Sequence, residues 1–412
     1  MHLLVINVDK DAKQRARVDV KKQAGLANNP ASFYNKYWRK YMLTRNVNGV
    51  EFDIEIEKAN EIYFFEEFYE KCASTGINDI LVAIYNEKKE YTPESLFIEL
   101  TGKCNFNCPF CYVHTCSTVQ KQPFISFEQI KKDIDYLVER GLITCTISGG
   151  ECFLHPEFEK IYEYIKNKGV LVTILSNLSL LTDSIVNLFK RLPPYKIDVT
   201  IYAMEEEKMK TVTCQKKIAS SQVLNNILRL KDEGMNVTCK TPYNTLTEGQ
   251  IPLITEWCKK HEIPYFYSME TFENYEGKNM EQFSMAEQEV YKDKILAKKQ
   301  KYGDVESECT PKINFECKGG QYGLFISYDY KLRPCMPFYC VPEANFDIAT
   351  VGLPKALEQM EEFIKKYKGT KLRYCKGCNK QNVCDVCIIT QLSKTNLKEH
   401  MQKQCEIFQT MV

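Results

Sequence analysis

Length, composition and charge already exclude several classes of protein. The chain has 412 residues, of which 44% are hydrophobic and 26% charged, and its formal net charge is +1. These values are typical of a globular protein with two or three domains. A general nucleic-acid binder needs a basic surplus, and a membrane span needs about 20 consecutive apolar residues. The sequence has neither feature, and its N-terminus does not resemble a secretory signal. We therefore expect no nucleic-acid and no membrane partner.

The first 92 residues are predicted to form a small α+β module. A stretch of mixed charge between Asp9 and Lys22 is typical of a solvated helix face. Strand-like patterns follow at Val50–Ile56 and Asp79–Tyr85, with a helical pattern at Glu61–Lys71 between them. The pattern changes at about residue 93, where we place the first domain boundary.

From residue 93 to 304, short β-rich runs alternate with amphipathic helical stretches. Ser126 and Gln129 have the spacing of a capping box at the start of one helix, and Gly141 provides its end. The predicted strands are Leu96–Leu100, Ile143–Ile147, Leu171–Leu175, Ile197–Tyr202, Asn236–Lys240 and Pro264–Ser268. Further helices are predicted from Pro156, near Asp183–Arg191, near Ser221–Glu233 and near Ile251–Lys260. This alternation predicts a parallel sheet, either a partial (β/α)6 barrel or a doubly wound open sheet. In both folds, the chemistry takes place at the carboxyl ends of the strands.

The cysteine content is unusual. There are 19 cysteines, an odd number that excludes a fully paired disulfide set. One group lies between Cys104 and Cys152, and another between Cys309 and Cys405. In an intracellular protein, such groups more often bind metal or take part in catalysis. The cysteines that stand apart are predicted to be small buried side chains: Cys72, Cys214, Cys239 and Cys258.

Three cysteines follow the first predicted strand within eight residues. Cys104, Cys108 and Cys111 have the spacing C-x3-C-x2-C on a loop. One interpretation is a zinc loop with a distant fourth ligand. The other is a [4Fe–4S] cluster held by three cysteines, which leaves one iron open to a small molecule.

The next two strands also end in polar or glycine-rich segments. The second strand is followed by Gly149-Gly150-Glu151, and the third by Ser176-Asn177. Together with the three cysteines and Phe110 before the last of them, this order resembles the radical S-adenosylmethionine (radical SAM) enzymes.

The resemblance implies a set of cofactors and roles. Cys104, Cys108 and Cys111 would bind the cluster. The segment from Gly149 to Glu151 would hold the amino group of S-adenosylmethionine, and Ser176 and Asn177 would hold its ribose. Phe110 would belong to the same binding site. An electron from a flavodoxin or ferredoxin would reduce the cluster, the carbon–sulfur bond would break, and the 5′-deoxyadenosyl radical would take a hydrogen atom from the substrate.

The tail over residues 305–412 resembles the SPASM domain, a C-terminal extension with two auxiliary [4Fe–4S] clusters. Two departures are a tyrosine, Tyr330, where the family has glycine, and two residues rather than three inside the last cysteine pair. By the resemblance, the outer cluster would be held by Cys375, Cys378, Cys384 and Cys405. The inner cluster would be held by Cys317, Cys335, Cys387 and Cys309, with Cys340 as a substitute for Cys309. The competing interpretation is a zinc module formed by Cys375, Cys378, Cys384 and Cys387.

Radical SAM–SPASM proteins mostly modify peptides or proteins. The segment around Tyr202 resembles part of the maturases that form thioethers in ribosomal peptides of the sactipeptide and ranthipeptide type, with Thr200 and Ala203 in place of serine and glycine. The N-terminal module has the size of a winged-helix leader-binding domain, although a plain docking module fits equally well. We therefore expect a maturase that joins a cysteine sulfur to carbon in a precursor peptide with a leader.

Three other functions stay open at this point. They are an anaerobic sulfatase-maturating enzyme that forms formylglycine, a cyclase that forms carbon–carbon crosslinks, and an iron–sulfur electron carrier. Thiol ligands require a reducing compartment, so we expect a cytoplasmic protein. No catalytic acid or base is assigned, although Tyr202, Asn244, Tyr267 and Glu270 lie at predicted strand ends. His114 and His155 are predicted to be hydrogen-bonding loop residues.

Overall fold

The computed structural model of the protein describes residues 4–9, 15–16, 41–47, 50–56, 94–113, 121–269, 281–285, 320 and 323–368. The predicted elements Glu61–Lys71 and Asp79–Tyr85 lie outside these residues. None of the described helices is long and apolar enough to cross a membrane.

The N-terminal part contains a four-stranded antiparallel sheet. Its strands are β1 (Leu4–Asp9), β2 (Arg15–Ala16), β3 (Tyr41–Val47) and β4 (Val50–Ile56), in the order β2-β1-β4-β3. Of these four strands, β4 is the one predicted from the sequence. The charged stretch expected to be helical instead contains strand β2, because Arg15 and Ala16 pair with Asp9 and Val8 of β1. Asn48-Gly49, a typical hairpin dipeptide, separates β3 from β4.

A second sheet has nine strands and forms the centre of the described fold. Its strands, in chain order, are β5 (Ser95–Glu99), β6 (Thr144–Ser148), β7 (Leu171–Ser176), β8 (Lys196–Thr200), β9 (Val237–Pro242), β10 (Tyr265–Ser268), β11 (Gly323–Ile326), β12 (Lys331–Arg333) and β13 (Phe346–Asp347). From β5 to β10, each strand lies parallel beside its neighbour in the chain. A doubly wound sheet would reverse its order at a switch point. The unbroken order is instead that of an incomplete (β/α)6 barrel.

Helices connect these parallel strands. They are α1 (Phe127–Glu139), α2 (Phe158–Asn167), α3 (Asp183–Arg191), α4 (Glu206–Thr213), α5 (Ser220–Asp232) and α6 (Ile251–Lys260). The capping box of Ser126 and Gln129 is present at the start of α1, and α3 and α6 have the predicted bounds. Helix α4 is not predicted, because among its eight residues only Met209, Val212 and Thr213 are buried.

The core lies between this sheet and its helices. Ile98 of β5, Ile147 of β6 and Ile174 of β7 are almost completely buried, and so are Ile130 and Ile134 on one face of α1. Burying a side chain of this kind stabilises the fold by about 1.5–3 kcal/mol. The apolar face thus holds each helix against the sheet and fixes where the loops at the strand ends emerge.

The sheet also includes residues beyond the predicted boundary at 304. Strand β11 lies parallel beside β5, and β12 and β13 extend the sheet in antiparallel fashion. Helices α7 (Ile348–Val351) and α8 (Leu353–Lys368) follow. The first part of the C-terminal region is therefore built onto the same sheet as the barrel.

Tyr330 links this region to helix α1. Its φ of +55° lies in the left-handed region that favours glycine, which is the residue the SPASM resemblance leads us to expect there. The Tyr330 hydroxyl donates a hydrogen bond to Oδ2 of Asp133, at 2.8 Å. Burial raises the pKa of Asp133 to about 6, although the bond from Tyr330 acts in the opposite direction.

This pKa predicts a pH-dependent stability. Because Asp133 binds its proton more tightly in the folded protein, its contribution is fully present below pH 4 and is lost as the pH rises towards 6. Asp133→Asn should therefore increase the free energy of unfolding by about 2 kcal/mol at pH 7 and by little at pH 4. Urea unfolding of both proteins at several pH values measures this difference. The exposed Asp232→Asn serves as the control, and an equal effect at both pH values would contradict the prediction.

Candidate functional site

The three-cysteine loop lies at the carboxyl ends of the parallel strands. It follows β5, and its base is held by the Leu100 amide, which donates to the Ser148 carbonyl of β6 at 3.0 Å. Further along, the Asn107 amide donates to the Thr213 carbonyl at 2.9 Å, at the end of α4. The loop is thus fixed at the edge where both candidate folds place the chemistry.

The structure brings the three thiols of this loop together. Cys108 is buried, whereas Cys104 and Cys111 are half-buried. Burial raises the pKa of the Cys108 thiol, and the neighbouring Cys111 and Cys104 raise it further. Burial also raises the pKa of Cys104, followed by the effect of the nearby Glu151 carboxylate. Uncompensated negative charge is therefore unfavourable here, and a bound cationic centre would remove the penalty.

Hydrogen-bond donors point at these sulfur atoms. The Phe106 amide lies 3.3 Å from the Cys104 Sγ, and the Asn177 side-chain amide lies 3.8 Å from it. Tyr202 opposes the rise in the pKa of the Cys108 thiol. Sulfur accepts weakly as a thiol and more strongly as a thiolate, so these donors fit metal-ligating thiolates. Within the described residues, no group of three or more His, Cys, Asp or Glu side chains is arranged so that it could hold a single metal ion. An iron–sulfur cluster differs from a site of that kind, because each cysteine binds a different iron.

Gly149 and Gly150 let the end of β6 lie directly against the cysteine loop. Gly149 has a φ of +147°, and a Cβ there would stand 2.4 Å from the Thr101 carbonyl oxygen. A Cβ on Gly150 would stand 2.4 Å from the Lys103 carbonyl oxygen. The Gly150 amide donates to Thr101 at 2.7 Å, and the Glu151 amide donates to Lys103 at 2.8 Å. The glycines therefore serve loop packing, a role that the sequence motif alone does not indicate.

Gly150→Ala should consequently destabilise the protein by about 1–3 kcal/mol, because its methyl group meets backbone atoms that cannot move aside easily. The natural control is Gly249→Ala, since a Cβ at Gly249 would have no heavy atom within 4 Å. Chemical denaturation of both variants measures the difference. Equal stability of the two variants would contradict the packing role.

Glu151 joins the ends of β6 and β7 and is only 1% exposed. Its Oε1 accepts from the Ser176 hydroxyl at 2.8 Å and from the Phe153 amide at 3.1 Å. Its Oε2 accepts from the Asn177 amide at 2.8 Å. Burial raises the pKa of this carboxyl, and the hydrogen bonds oppose that shift. The residues that the sequence predicts on two separate strands thus meet in one network.

Asn177 extends this network to the cysteine loop. Its side-chain amide donates to Asn105 Oδ1 at 3.0 Å, and its Oδ1 accepts from the Ser179 hydroxyl at 2.6 Å. The side-chain amide of Asn105 in turn donates to the Ser179 hydroxyl at 2.7 Å. Asn105 and Ser179 are not assigned from the sequence. In the sequence, the one indication of these two residues is their position: Asn105 directly follows the candidate metal ligand Cys104, and Ser179 lies just after the end of a strand.

Aromatic rings surround the loop. The Tyr202 ring lies 5.8 Å from the Phe106 ring and 6.2 Å from the Phe110 ring, measured between centroids. Phe283 contacts the other side of Phe110 at 6.3 Å. Phe110 therefore packs among aromatic rings at the cysteine loop, and its part in a cofactor site stays a prediction.

The other strand-end and loop candidates have different positions. Asn244 is buried and its side chain accepts from the Leu246 amide at 2.9 Å, which makes it a turn residue. Tyr267 is exposed at the edge strand β10. The His155 Nδ1 accepts from the Glu157 amide, so its Nε2 donates to the Ile125 carbonyl. This confirms the prediction of a hydrogen-bonding loop residue. Glu270 and His114 lie outside the described residues.

Several of the remaining cysteines bear on the sequence predictions. Cys239 and Cys258 are buried, as predicted, whereas Cys214 is exposed. The prediction for Cys214 is wrong because this residue ends helix α4 in the left-handed conformation, with a φ of +48°. Cys335 is half-buried just after β12. Outside the described residues lie Cys72, Cys309, Cys317, Cys375, Cys378, Cys384, Cys387 and Cys405.

An incomplete parallel barrel with a three-cysteine loop at its carboxyl edge defines a class of proteins that includes the radical SAM enzymes. Residues 98–248 match the model of the Radical SAM superfamily. This segment is a radical SAM domain.

Similar sequences include one protein named for the biosynthesis of a bacteriocin and one named for the maturation of a killing factor. The antilisterial bacteriocin subtilosin biosynthesis protein AlbA of Bacillus subtilis is 38% identical over 22% of this chain and 20% of its own length. The sporulation killing factor maturation protein SkfB of the same species is 22% identical over 69% of this chain and 71% of its own length. A probable GTP 3′,8-cyclase of Methanococcus maripaludis is 24% identical over 59% of this chain and 84% of its own length. The chain thus spans only a fifth of AlbA.

Solved structures share the fold. SuiB of Streptococcus suis bound to the precursor peptide SuiA superposes with a TM-score of 0.60 at 12% identity, covering 81% of this chain and 87% of SuiB. The structure of anSMEcpe with bound AdoMet has a TM-score of 0.56 at 16% identity, covering 77% of this chain and 96% of that protein. At these identities, the likeness establishes the radical SAM α/β fold with its parallel sheet.

Proposed function

We propose that the protein is a peptide maturase that joins a cysteine sulfur to carbon in a ribosomally made precursor peptide. The observation that carries the proposal is the hydrogen-bond network of Glu151, Asn177 and Cys104 at one edge of the barrel, on the loop that also contains Cys108 and Cys111. It unites a three-thiol loop with the segments that would bind S-adenosylmethionine. The names of AlbA and SkfB support a peptide as the substrate.

The site residues have distinct proposed roles. Cys104, Cys108 and Cys111 would hold a [4Fe–4S] cluster, and Glu151 would pair with the ammonium group of S-adenosylmethionine. Gly149, Gly150, Ser176 and Asn177 would shape the rest of that pocket, with Phe110 against it. Together, the bound cluster and S-adenosylmethionine supply a 5′-deoxyadenosyl radical. The protein's own part is to orient the substrate carbon and to exclude water, for which the buried network is suited.

The tail cysteines would hold two further [4Fe–4S] clusters, which gives three clusters and ~12 iron atoms per chain. Thioether formation removes one hydrogen atom from carbon and one from sulfur, so it is a net two-electron oxidation. A reaction of this kind requires an electron acceptor in addition to the radical, and further clusters are suited to that need. By the SPASM resemblance, Cys335 would belong to the inner cluster. It lies just after β12, in a hairpin on the barrel sheet.

The N-terminal sheet is the proposed site for the leader of the precursor peptide. Strand β3 (Tyr41–Val47) lies at one end of the described strand order, and a peptide could add to such an edge by β-augmentation. A flavodoxin or ferredoxin would provide the reducing electron. Both partners and the cluster chemistry require a reducing, cytoplasmic setting.

The test is anaerobic incubation of the reconstituted protein with reductant, S-adenosylmethionine and a candidate precursor that contains a leader and a cysteine. We expect a product that lacks two hydrogen atoms, whose cysteine resists alkylation even after treatment with reductant. A product that has lost its sulfur and traps hydrazine would instead indicate formylglycine formation. A two-hydrogen loss with a fully alkylatable cysteine would indicate a carbon–carbon crosslink. Parallel incubation with GTP tests the activity named for the archaeal relative.

A further inference from the structure

Two lysines and an aspartate form a charged trio on the inner face of the barrel sheet, which is the face opposite the helices. Ile197 of β8 is completely buried in the core between the sheet and the helices. Because successive side chains of a strand point to opposite faces, Lys196 and Asp198 point to the inner face. Lys240 of β9 points the same way, since its Cα partner in β8 is Thr200. The trio is therefore formed by Lys196, Asp198 and Lys240.

In this trio, one carboxylate is shared by two ammonium groups. Asp198 is buried, and its Oδ1 lies 2.8 Å from the Nζ of Lys196, whose side chain is 18% exposed. Its Oδ2 lies 2.5 Å from the Nζ of Lys240, whose side chain is 44% exposed. A buried carboxylate requires a cation nearby, and the better buried Lys196 provides it. Lys240 is a second cation, so the trio has one positive charge in excess.

Lys240 is suited to bind a further anion. An ammonium group has three donors, so it can bind another acceptor while it keeps its ion pair with Asp198. The ion pair holds the flexible lysine side chain in one direction, which lowers the entropy that a ligand must remove on binding. A carboxylate is the kind of group that such a site would bind.

The trio lies level with the proposed cofactor site. Asp198 is the Cα partner of Leu175 in β7. The pairing of β6 with β7 places Leu175 level with Ser148, the last residue of β6. The segment from Gly149 to Glu151 begins directly after Ser148. A substrate that reaches the proposed cofactor site therefore also comes close to the level of the trio.

Two kinds of carboxylate belong to the proposed reaction, that of S-adenosylmethionine and those of acidic residues in the precursor peptide. In S-adenosylmethionine, the ammonium and carboxylate groups are attached to the same carbon atom. If Glu151 holds the ammonium group, the carboxylate also stays close to the end of β6. Lys240 belongs to β9, three strands further along the sheet, at a separation of about 14 Å. This separation favours the carboxylate of the peptide.

We propose that Lys240 determines substrate specificity by binding an acidic side chain of the precursor peptide on the inner face of the barrel, with Asp198 holding its ammonium group in place. This inference rests on the proposed function, because it requires a peptide substrate. It adds the chemical class of one substrate residue, an aspartate or glutamate close to the position that is modified.

Lys240→Gln removes the positive charge, while Lys196 continues to compensate Asp198. Lys240→Arg retains the charge. The matched control is Lys190→Gln in the helical layer, because Lys190 is 49% exposed and its Nζ lies 2.7 Å from Oε2 of Glu233. Each variant and the wild type are reconstituted as full chains without air. Calorimetric titration without reductant then measures the affinity for the candidate precursor and for S-adenosylmethionine separately, so no turnover occurs.

We expect Lys240→Gln to bind the precursor about tenfold more weakly than the wild type, the effect of one lost hydrogen bond between charged groups. Its affinity for S-adenosylmethionine should be unchanged. Lys240→Arg and Lys190→Gln should bind both molecules like the wild type. In the precursor, each Asp and Glu is replaced singly by Asn or Gln. One of these changes should weaken binding to the wild type about tenfold and have no further effect on binding to Lys240→Gln.

Equal affinity of Lys240→Gln and the wild type for the precursor would overturn the inference and leave the proposed function standing. Weaker binding of S-adenosylmethionine in place of the precursor would overturn it too, since the bound carboxylate would then be that of the cofactor. If Lys240→Gln does not fold, the peptide variants decide with the wild-type protein, and unchanged affinity for all of them would overturn the inference. Failure of the wild type to modify the precursor would refute the proposed function itself.

Discussion

Changing Cys104, Cys108 and Cys111 together to Ala should reduce formation of 5′-deoxyadenosine to the level seen without enzyme. These are the sulfurs of the loop after β5, and the donors from Phe106 and Asn177 would have no ligand left to orient. Because the proposed tail clusters use other cysteines, bound iron should fall by about four atoms and not to zero. Chromatography of the nucleoside product and iron analysis of the same sample measure both quantities.

The control for this variant is Cys214→Ala, which changes an exposed cysteine at the end of α4. It should retain full iron content and full cleavage of S-adenosylmethionine. Retention of 5′-deoxyadenosine formation in the triple variant would show that the loop is not the cofactor site. Complete loss of iron in a folded triple variant would show that the tail holds no clusters.

Replacing Cys375 and Cys378 by Ala should affect S-adenosylmethionine cleavage less than it affects peptide crosslinking. Some S-adenosylmethionine cleavage should continue, since the loop and the Glu151 network are untouched, while formation of crosslinked peptide should stop. The physical reason is the balance of the reaction, in which a second electron must leave the substrate after hydrogen abstraction. Assay of 5′-deoxyadenosine and of peptide mass in one incubation measures the two outcomes together. Equal loss of both activities in the two cysteine variants, with folding intact, would contradict this division of labour.

The sequence predicts most of the barrel because local signals define its elements. The capping box at Ser126 and Gln129 determines where α1 begins, and apolar periodicity gives the bounds of α3 and α6. The order of strands β5 to β10 then follows from short connections between consecutive units. At the site, Cys104 and Glu151 each come shortly after a parallel strand in the sequence. This is enough to place both residues at the same edge of the sheet.

What the sequence does not predict depends on contacts between distant residues. Strand β11 lies beside β5, more than two hundred residues away in the chain, and no local pattern indicates this pairing. The bond from Tyr330 to Asp133 is equally non-local, and so is that from Asn177 to Asn105. Gly150 is visible as part of a motif, but its close approach to the Lys103 carbonyl follows only from the packing of two strand ends.

The most direct test of the central claim, that the radical formed at this site attacks a peptide, is transfer of deuterium. A candidate precursor peptide labelled with deuterium at its carbon-bound positions is incubated anaerobically with the reconstituted protein, reductant and S-adenosylmethionine. We predict that 5′-deoxyadenosine becomes heavier by one deuterium and that the peptide loses one carbon-bound deuterium together with the cysteine thiol hydrogen. Formation of unlabelled 5′-deoxyadenosine alone, with the peptide unchanged in mass, would contradict the assignment of a peptide substrate.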